Sequence, residues 1–135
     1  MKTTELMIGD LVFVQGELSK IIEIHEHSVL LQGRSFYFGE EDIKSIPLTP
    51  EILEKNGFEK SSIQTAIMIE QQIPPCIRYG IQLGEYSGVY ISFGLQDCPL
   101  YDIRSDYRLF QGACIYVHEL QHALKLCKIE KEIVL

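Results

Sequence analysis

The sequence predicts an α+β protein in which two sheet regions are joined by a short helix. Five short β-prone runs separated by turn residues occupy residues 1–48. Helix-start and helix-stop signals follow at 49–57. Residues 58–135 hold further strand patterns and end in an amphipathic helix. We therefore predict a small five-stranded β-barrel-like module at 1–48, a linking helix at 49–57, and an antiparallel sheet packed by a C-terminal helix at 58–135.

The barrel-like module rests on the spacing of its β-prone runs. Turn residues such as Gly9, Gly16 and Gly33 separate them, and such spacing is typical of a small, strongly bent sheet. Pro47 is expected at an edge or a strand end, because it cannot donate to a ladder. The acidic turn at 39–42 lacks the spaced ligands of a calcium loop and is interpreted as solvated. The predicted strands are 11–14, 19–26, 28–32, 35–38 and 43–48.

The linking helix is predicted from its ends. Thr49 can cap its start, Pro50 suits the first helical position, and Glu51 suits the positive end of the helix dipole. Gly57 can take the left-handed conformation that ends a helix, and Phe58 can then fold back on the last turn.

The second half is predicted to be β-rich before it closes with a helix at 115–127. Consecutive prolines make 71–75 a loop, and 94–106 is also expected to be a loop. A hairpin with its connection at 84–88 joins two of the strands. The helix carries a buried stripe of Val117, Leu120, Leu124 and Cys127. The predicted strands are 64–70, 77–83, 89–93 and 107–111.

Composition bounds the class of protein. The 135 residues are 46% hydrophobic and 23% charged, with a mean hydropathy of +0.05, which is typical of a globular chain. No run approaches the roughly 18 apolar residues of a membrane span, and the N-terminus lacks a secretory pattern. The net charge of -7 argues against non-specific binding of nucleic acid or anionic lipid. We therefore expect a cytoplasmic protein without a nucleic-acid or membrane partner.

The four cysteines, Cys76, Cys98, Cys114 and Cys127, form no Cys-x-x-Cys pair. Neither a zinc ribbon nor a thioredoxin-type site is therefore indicated. In the cytoplasm we expect reduced, mostly buried thiols.

The motif that favours an enzyme is His118-Glu119-Leu120-Gln121-His122, a His-Glu-x-x-His sequence. On a helix, two imidazoles one turn apart can share a zinc ion, and the glutamate can activate a metal-bound water. A catalytic zinc also needs a third protein ligand, and the positions that would supply it in the longer motif, 125 and 128, are both lysine. We therefore favour a helix whose two histidines lie at the boundary of its buried face. The alternative is a zinc-dependent hydrolase, with His118 and His122 as zinc ligands and Glu119 as the base.

Other candidate residues carry weaker signals. His25 and His27 alternate along a predicted strand beside Glu23, and could supply a metal pair or a third zinc ligand, but such a pair more often marks the wet side of a strand. The seven tyrosines are better explained by sheet packing than by base stacking, because few basic residues interleave with them.

Three segments carry a family resemblance: 5–14 (ELMIGDLVFV), 46–60 (IPLTPEILEKNGFEK) and 116–126 (YVHELQHALKL). They resemble an uncharacterised family of small Bacteroidetes proteins that often lie in prophage or mobile-element regions and have no established activity. The C-terminal helix of that family typically reads Tyr-Val-His-x-Leu-Gln-Asn, with Asn where this chain has His122. The resemblance therefore implies that the zinc pattern arises from a single substitution. Together with the residues it predicts a non-enzymatic accessory or interaction module of a mobile genetic element, with a protein partner and no required cofactor.

Overall fold

The computed structural model describes residues 1–93, 99–105 and 108–135. It has two antiparallel sheets and a C-terminal helix, which confirms the predicted α+β class. The chain divides into two compact units. Unit 1 comprises Met1–Pro47 and Tyr116–His122, and unit 2 comprises Leu48–Ile115 and Ala123–Leu135. None of the helices in the described ranges has the length and apolar run that a membrane crossing requires.

Unit 1 contains a curled five-stranded sheet. Its strand order is β4-β3-β2-β1-β5, and every neighbouring pair is antiparallel. The register shifts between Ile21 and Glu23, and a bulge of this kind bends a strand. A 3-10 turn at Glu40–Asp42 connects the two edge strands. The strands are β1 Leu11–Val14, β2 Glu17–Ile24, β3 Ser28–Leu31, β4 Tyr37–Gly39 and β5 Ile43–Lys44.

Each of the five runs predicted in this region overlaps a strand, but the last strand is much shorter than the predicted 43–48. Only Ile43 and Lys44 join the sheet, and Pro47 forms an isolated bridge with Tyr116. The core of the sheet consists of apolar side chains that alternate inward along the strands. They are Leu6, Val12, Val14, Ile21, Val29, Leu31, Phe38 and Ile43.

Unit 2 begins with helix α1, Pro50–Lys55, whose predicted ends are confirmed. The Thr49 hydroxyl accepts a hydrogen bond from the Ile52 amide at 3.3 Å. Gly57 takes a φ of 86°, and the Phe58 amide donates to the Leu53 carbonyl at 3.0 Å. These bonds form the Schellman ending that the Asn-Gly-Phe sequence favours.

The sheet of unit 2 is an antiparallel meander with the order β10-β9-β8-β7-β6. Its inner face is built around Tyr79, Val89, Ile91 and Ile103, all of which are buried. The strands are β6 Glu59–Ile63, β7 Cys76–Gln82, β8 Gly88–Phe93, β9 Leu100–Ser105 and β10 Arg108–Ala113.

Two predictions in this half were wrong. The predicted strand 64–70 is helix α2, Ala66–Glu70, preceded by β6. Thr65 caps this helix by accepting from the Met68 amide at 3.2 Å, a local signal that outweighs the β-prone isoleucines. The predicted loop 94–106 contains strand β9, because Tyr101 and Ile103 alternate with polar residues that face outward. Residues 94–98 and 106–107, and with them Cys98 and Tyr107, lie outside the described residues.

The C-terminal helix α3 spans Val117–Leu126, within the predicted 115–127. Its residues 117–122 belong to unit 1, where Val117 and Leu120 are buried. Its remaining residues belong to unit 2, where Ala123 and Leu124 are buried. The helix places the His-Glu-x-x-His motif entirely within unit 1.

Candidate functional site

Glu119, the base of the hypothetical zinc site, takes part in starting helix α3. Its Oε1 accepts a hydrogen bond from the Tyr116 amide at 2.9 Å. A glutamate in the first turn that reaches back to the capping residue satisfies an amide that would otherwise lack a partner in the helix. The carboxylate therefore has a structural task at the helix N-terminus.

His122 is held by a buried carboxylate. Its Nε2 lies 2.6 Å from Oδ2 of Asp10, whose residue is 0% exposed. The same Oδ2 accepts the Met7 amide at 2.8 Å. Oδ1 of Asp10 is also buried, and has no hydrogen-bond partner in the described part of the chain. Since a buried carboxylate is costly without partners, the contact with His122 supports the placement of Asp10.

Gln121 connects the same helix to the same short segment. Its Oε1 accepts from the Leu11 amide at 3.0 Å, and its Nε2 donates to the Gly9 carbonyl at 3.1 Å. Gln121 and His122 thus bind three consecutive residues that lie about 110 positions earlier in the chain. We call this set, Gly9, Asp10, Leu11, Gln121 and His122, the helix clamp.

His118 is buried next to the clamp, with 6% of its surface exposed. It stacks on Tyr116 at 5.8 Å between ring centroids and meets His122 edge-on at 5.5 Å. Burial lowers the pKa of His118, and the charge of His122 lowers it further, while Asp10, Glu119 and Glu5 act in the opposite direction. The ring therefore favours its neutral form, and its Nδ1 has no hydrogen-bond partner among the described residues.

Among the described residues, the motif has no third side chain placed to complete a metal site. Within residues 1–93, 99–105 and 108–135, no group of three or more His, Cys, Asp or Glu side chains is arranged to hold a metal ion. The contacts of this arrangement hold the first part of α3, residues 117–122, against Gly9, Asp10 and Leu11 within unit 1. Sequence reasoning missed the role of Asp10, because an aspartate next to Gly9 is typical of a turn and its partner His122 lies 112 residues away.

The other candidate histidines lie in exposed positions of unit 1. His25 contacts Oε1 of Glu23 at 3.0 Å and meets the Tyr37 ring edge-on at 4.7 Å. His27 lies 3.6 Å from carboxylate oxygens of both Glu26 and Glu40. These contacts are those of wet surface residues around a turn, which is the interpretation favoured from the sequence.

Of the described cysteines, Cys114 and Cys127 are buried and Cys76 is half-buried. Burial raises the pKa of the Cys127 thiol, which keeps it protonated and poorly reactive. These cysteines are therefore small apolar residues of unit 2.

Comparison of the chain with protein-family models, with curated proteins and with solved structures finds no match.

Proposed function

We propose that the protein is a non-enzymatic interaction module, an accessory protein of a mobile genetic element that binds a protein partner in the cytoplasm. One observation carries this proposal: two polar side chains of the His-Glu-x-x-His motif, Glu119 and His122, are engaged in contacts within the protein. His122 lies on the buried Asp10, and Glu119 accepts the Tyr116 amide. Side chains that hold a helix in its unit are not available for metal-assisted chemistry unless those contacts are broken.

The zinc-dependent hydrolase is the competing function, and metal analysis separates the two. The protein is purified without a metal-affinity tag, incubated with zinc, desalted and analysed by mass spectrometry. We expect well below one equivalent of zinc, and the same trace in His122→Ala, because His122 already contacts Asp10. One equivalent of zinc that disappears in His122→Ala would contradict the proposal.

A binding role is supported by the barrel-like form of unit 1 and by the edge of its sheet. Strand β4 lies at the edge of the sheet, so one side of its backbone has no neighbouring strand among the residues that the structure describes. Tyr37 on that strand is 49% exposed, and Phe36 just before it is 52% exposed. An extended peptide can pair with a free edge, and exposed aromatic rings beside it can serve as anchors.

The association with a mobile element is supported by the family resemblance of the three segments at 5–14, 46–60 and 116–126. The segment 5–14 includes Gly9, Asp10 and Leu11 of the helix clamp, and the segment 116–126 includes Gln121 and His122. The resemblance and the clamp therefore concern the same residues.

The partner surface is tested by quantitative affinity capture from the native host. Wild-type protein is compared with Phe36→Ser/Tyr37→Ser and with Leu126→Ser, a matched control that removes an apolar side chain 76% exposed in unit 2. We expect a protein recovered repeatedly with the wild type and the control, and at least tenfold less with the double variant. Failure to recover any protein, or equal recovery with the double variant, would contradict the proposed surface.

A further inference from the structure

The outer face of the unit 2 sheet carries an unusual tyrosine. The Tyr90 ring lies flat across Gly80 on the neighbouring strand and Gly88 on its own strand. A Cβ built on Gly80 would lie 2.5 Å from Cδ1 of this ring, and one built on Gly88 would lie 2.8 Å from its hydroxyl oxygen. Neither contact is sterically possible, so the ring can lie here only because both residues lack a Cβ atom. We call Gly80 and Gly88 the bed of Tyr90.

Arginine side chains surround this ring. The Arg78 guanidinium lies over the Tyr90 ring at 3.9 Å from its centroid, and that of Arg104 lies at 5.9 Å. These are cation–π distances, and they position guanidinium groups on an outward-facing surface. Nε of Arg78 is shielded from solvent and has no hydrogen-bond acceptor among the residues that the structure describes.

Three of the four arginines of the chain lie in this region: Arg78, Arg104 and Arg108. Within the described residues, none of the three forms an ion pair with a carboxylate. The fourth, Arg34 in unit 1, is paired with Glu17. In a chain with a net charge of -7, arginines that form no ion pair with a described carboxylate are complementary to an anion from outside.

Beside Tyr90 the surface opens into a cavity of about 360 Å³. This is within the size range of small-ligand pockets. Its walls combine three kinds of side chain: guanidinium groups, aromatic and apolar surface, and polar or acidic hydrogen-bonding groups. The guanidinium groups are those of Arg104 and Arg108. The aromatic and apolar surface comes from Tyr86, Tyr90 and Leu109, and the hydrogen-bonding groups are Gln82, Glu85 and Ser87.

We propose that this cavity binds a nucleotide, a ligand that joins a phosphate to a planar base through a sugar. Arg104 and Arg108 match the phosphate, because a guanidinium binds phosphate oxygens through two parallel hydrogen bonds. The tyrosines and Leu109 provide surface for a planar base. Glu85 and Gln82 accept hydrogen bonds from sugar hydroxyls or base amino groups. The proposal goes beyond the protein-partner surface of unit 1 and does not depend on it.

Isothermal titration calorimetry tests the proposal with AMP, GMP, CMP and UMP, with the corresponding nucleosides, with inorganic phosphate, and with an eight-nucleotide single strand. We expect saturable binding of at least one mononucleotide, weakened at least tenfold in Arg104→Gln and Arg108→Gln. Nucleosides and inorganic phosphate should each bind at least tenfold more weakly than that nucleotide. Tighter binding of the single strand, with the same dependence on Arg104, would support the site and identify a nucleic-acid strand as the source of the nucleotide.

Arg34→Gln is the matched control, because it removes the one arginine outside this region, and binding should be unchanged. Gly88→Ala tests the bed under Tyr90, since the added methyl group must displace the ring, and it should weaken binding without removing a charge. Circular dichroism establishes that each variant is folded. Absence of binding to the wild type up to millimolar nucleotide would overturn the proposal. Equal affinity in folded Arg104→Gln and Arg108→Gln, or equal affinity for inorganic phosphate, would also overturn it.

Discussion

In unit 1 a buried carboxylate, Asp10, helps the Gln121 amide to hold a distant segment of the chain, whereas in unit 2 Asn56 does so with a neutral amide. Asp10 contacts His122, which lies 112 residues away. Asn56 donates to the Val134 carbonyl at 2.7 Å and accepts from the Val134 amide at 2.8 Å, across 78 residues. Both side chains are buried, with 0% and 6% of their surface exposed.

The difference shows two ways to attach a C-terminal segment. An amide side chain presents both donor hydrogens and an acceptor oxygen, and therefore matches a peptide backbone without any charge. A buried carboxylate makes a stronger contact with an imidazole, but it is costly if that contact is lost. Because hydrogen bonds to a charged group contribute more than those between neutral groups, we expect unit 1 to be more sensitive than unit 2 to the loss of this side chain. We also expect the stability of unit 1 to depend on pH.

The largest effect is expected for Asp10→Ala. The substitution removes the partner of His122 and the acceptor for the Met7 amide inside unit 1. We expect a loss of about 3 kcal/mol in the free energy of unfolding, measured by denaturant titration, because the Met7 amide and His122 both lose a charged acceptor. Asp42→Ala, at an exposed turn, should change it by less than about 0.5 kcal/mol. Hydrogen exchange should accelerate first in residues 7–14 and 117–122, and faster exchange confined to unit 2 would contradict this assignment.

A smaller loss is expected for Asn56→Ala in unit 2. The variant loses both hydrogen bonds to Val134 and a third, from the side-chain amide to the Ile52 carbonyl. We expect a loss of about 2 kcal/mol in the same titration, because all three hydrogen bonds join neutral groups. Gln111→Ala removes an exposed amide and should be nearly neutral. A loss as large as that of Asp10→Ala would remove the distinction between the two units.

A gain is expected for Lys128→Gly, at the turn that leads from α3 to Val134. Lys128 ends α3 with a φ of 58°, and its amide donates to the Lys125 carbonyl, in the same type of ending that Gly57 gives α1. A left-handed conformation is strained for lysine and free of strain for glycine. We expect the free energy of unfolding to rise by about 0.5–1 kcal/mol. Lys125→Gly, inside the helix, should lower it by about 1 kcal/mol.

The smallest effect is a pH dependence that belongs to unit 1. Because the pKa of His118 is lowered in the folded protein, the unfolded chain binds more protons in mildly acidic solution. The stability that His118 supports is fully present above the ordinary histidine pKa of 6.5 and is lost as the pH falls below it. The groups that face the ring are Asp10, His122, Glu119 and Glu5.

Denaturant titrations between pH 7.5 and 5.5 measure this dependence. His118→Gln should flatten the decline, whereas His25→Gln, which changes an exposed ring, should leave it as in the wild type. A slope that is unchanged in His118→Gln would show that another group is responsible.

The features that the sequence predicts well are those set by neighbouring residues. The ends of α1 follow from Thr49, Pro50, Gly57 and Phe58, each of which acts within one helical turn. Residues 64–70 misled the prediction because isoleucines favour a strand, while the cap at Thr65 favours a helix and prevails. The pairing of Asp10 with His122 has no local signal, because it depends on how residues more than a hundred positions apart meet. For the same reason the approach of Arg104 to Tyr90 could not be foreseen.

The placement of Tyr90 over two glycines also determines how β7 aligns with β8. Gly80 stands directly opposite Tyr90, and this is the pairing that leaves space for the ring. A shift by one residue would turn Tyr90 to the opposite face of the sheet and place the bulky Tyr79 or Ile81 across from it. The aromatic ring and its glycines therefore favour a single register of the β7–β8 hairpin. Glycine usually weakens a strand, but here it contributes to the specificity of strand pairing.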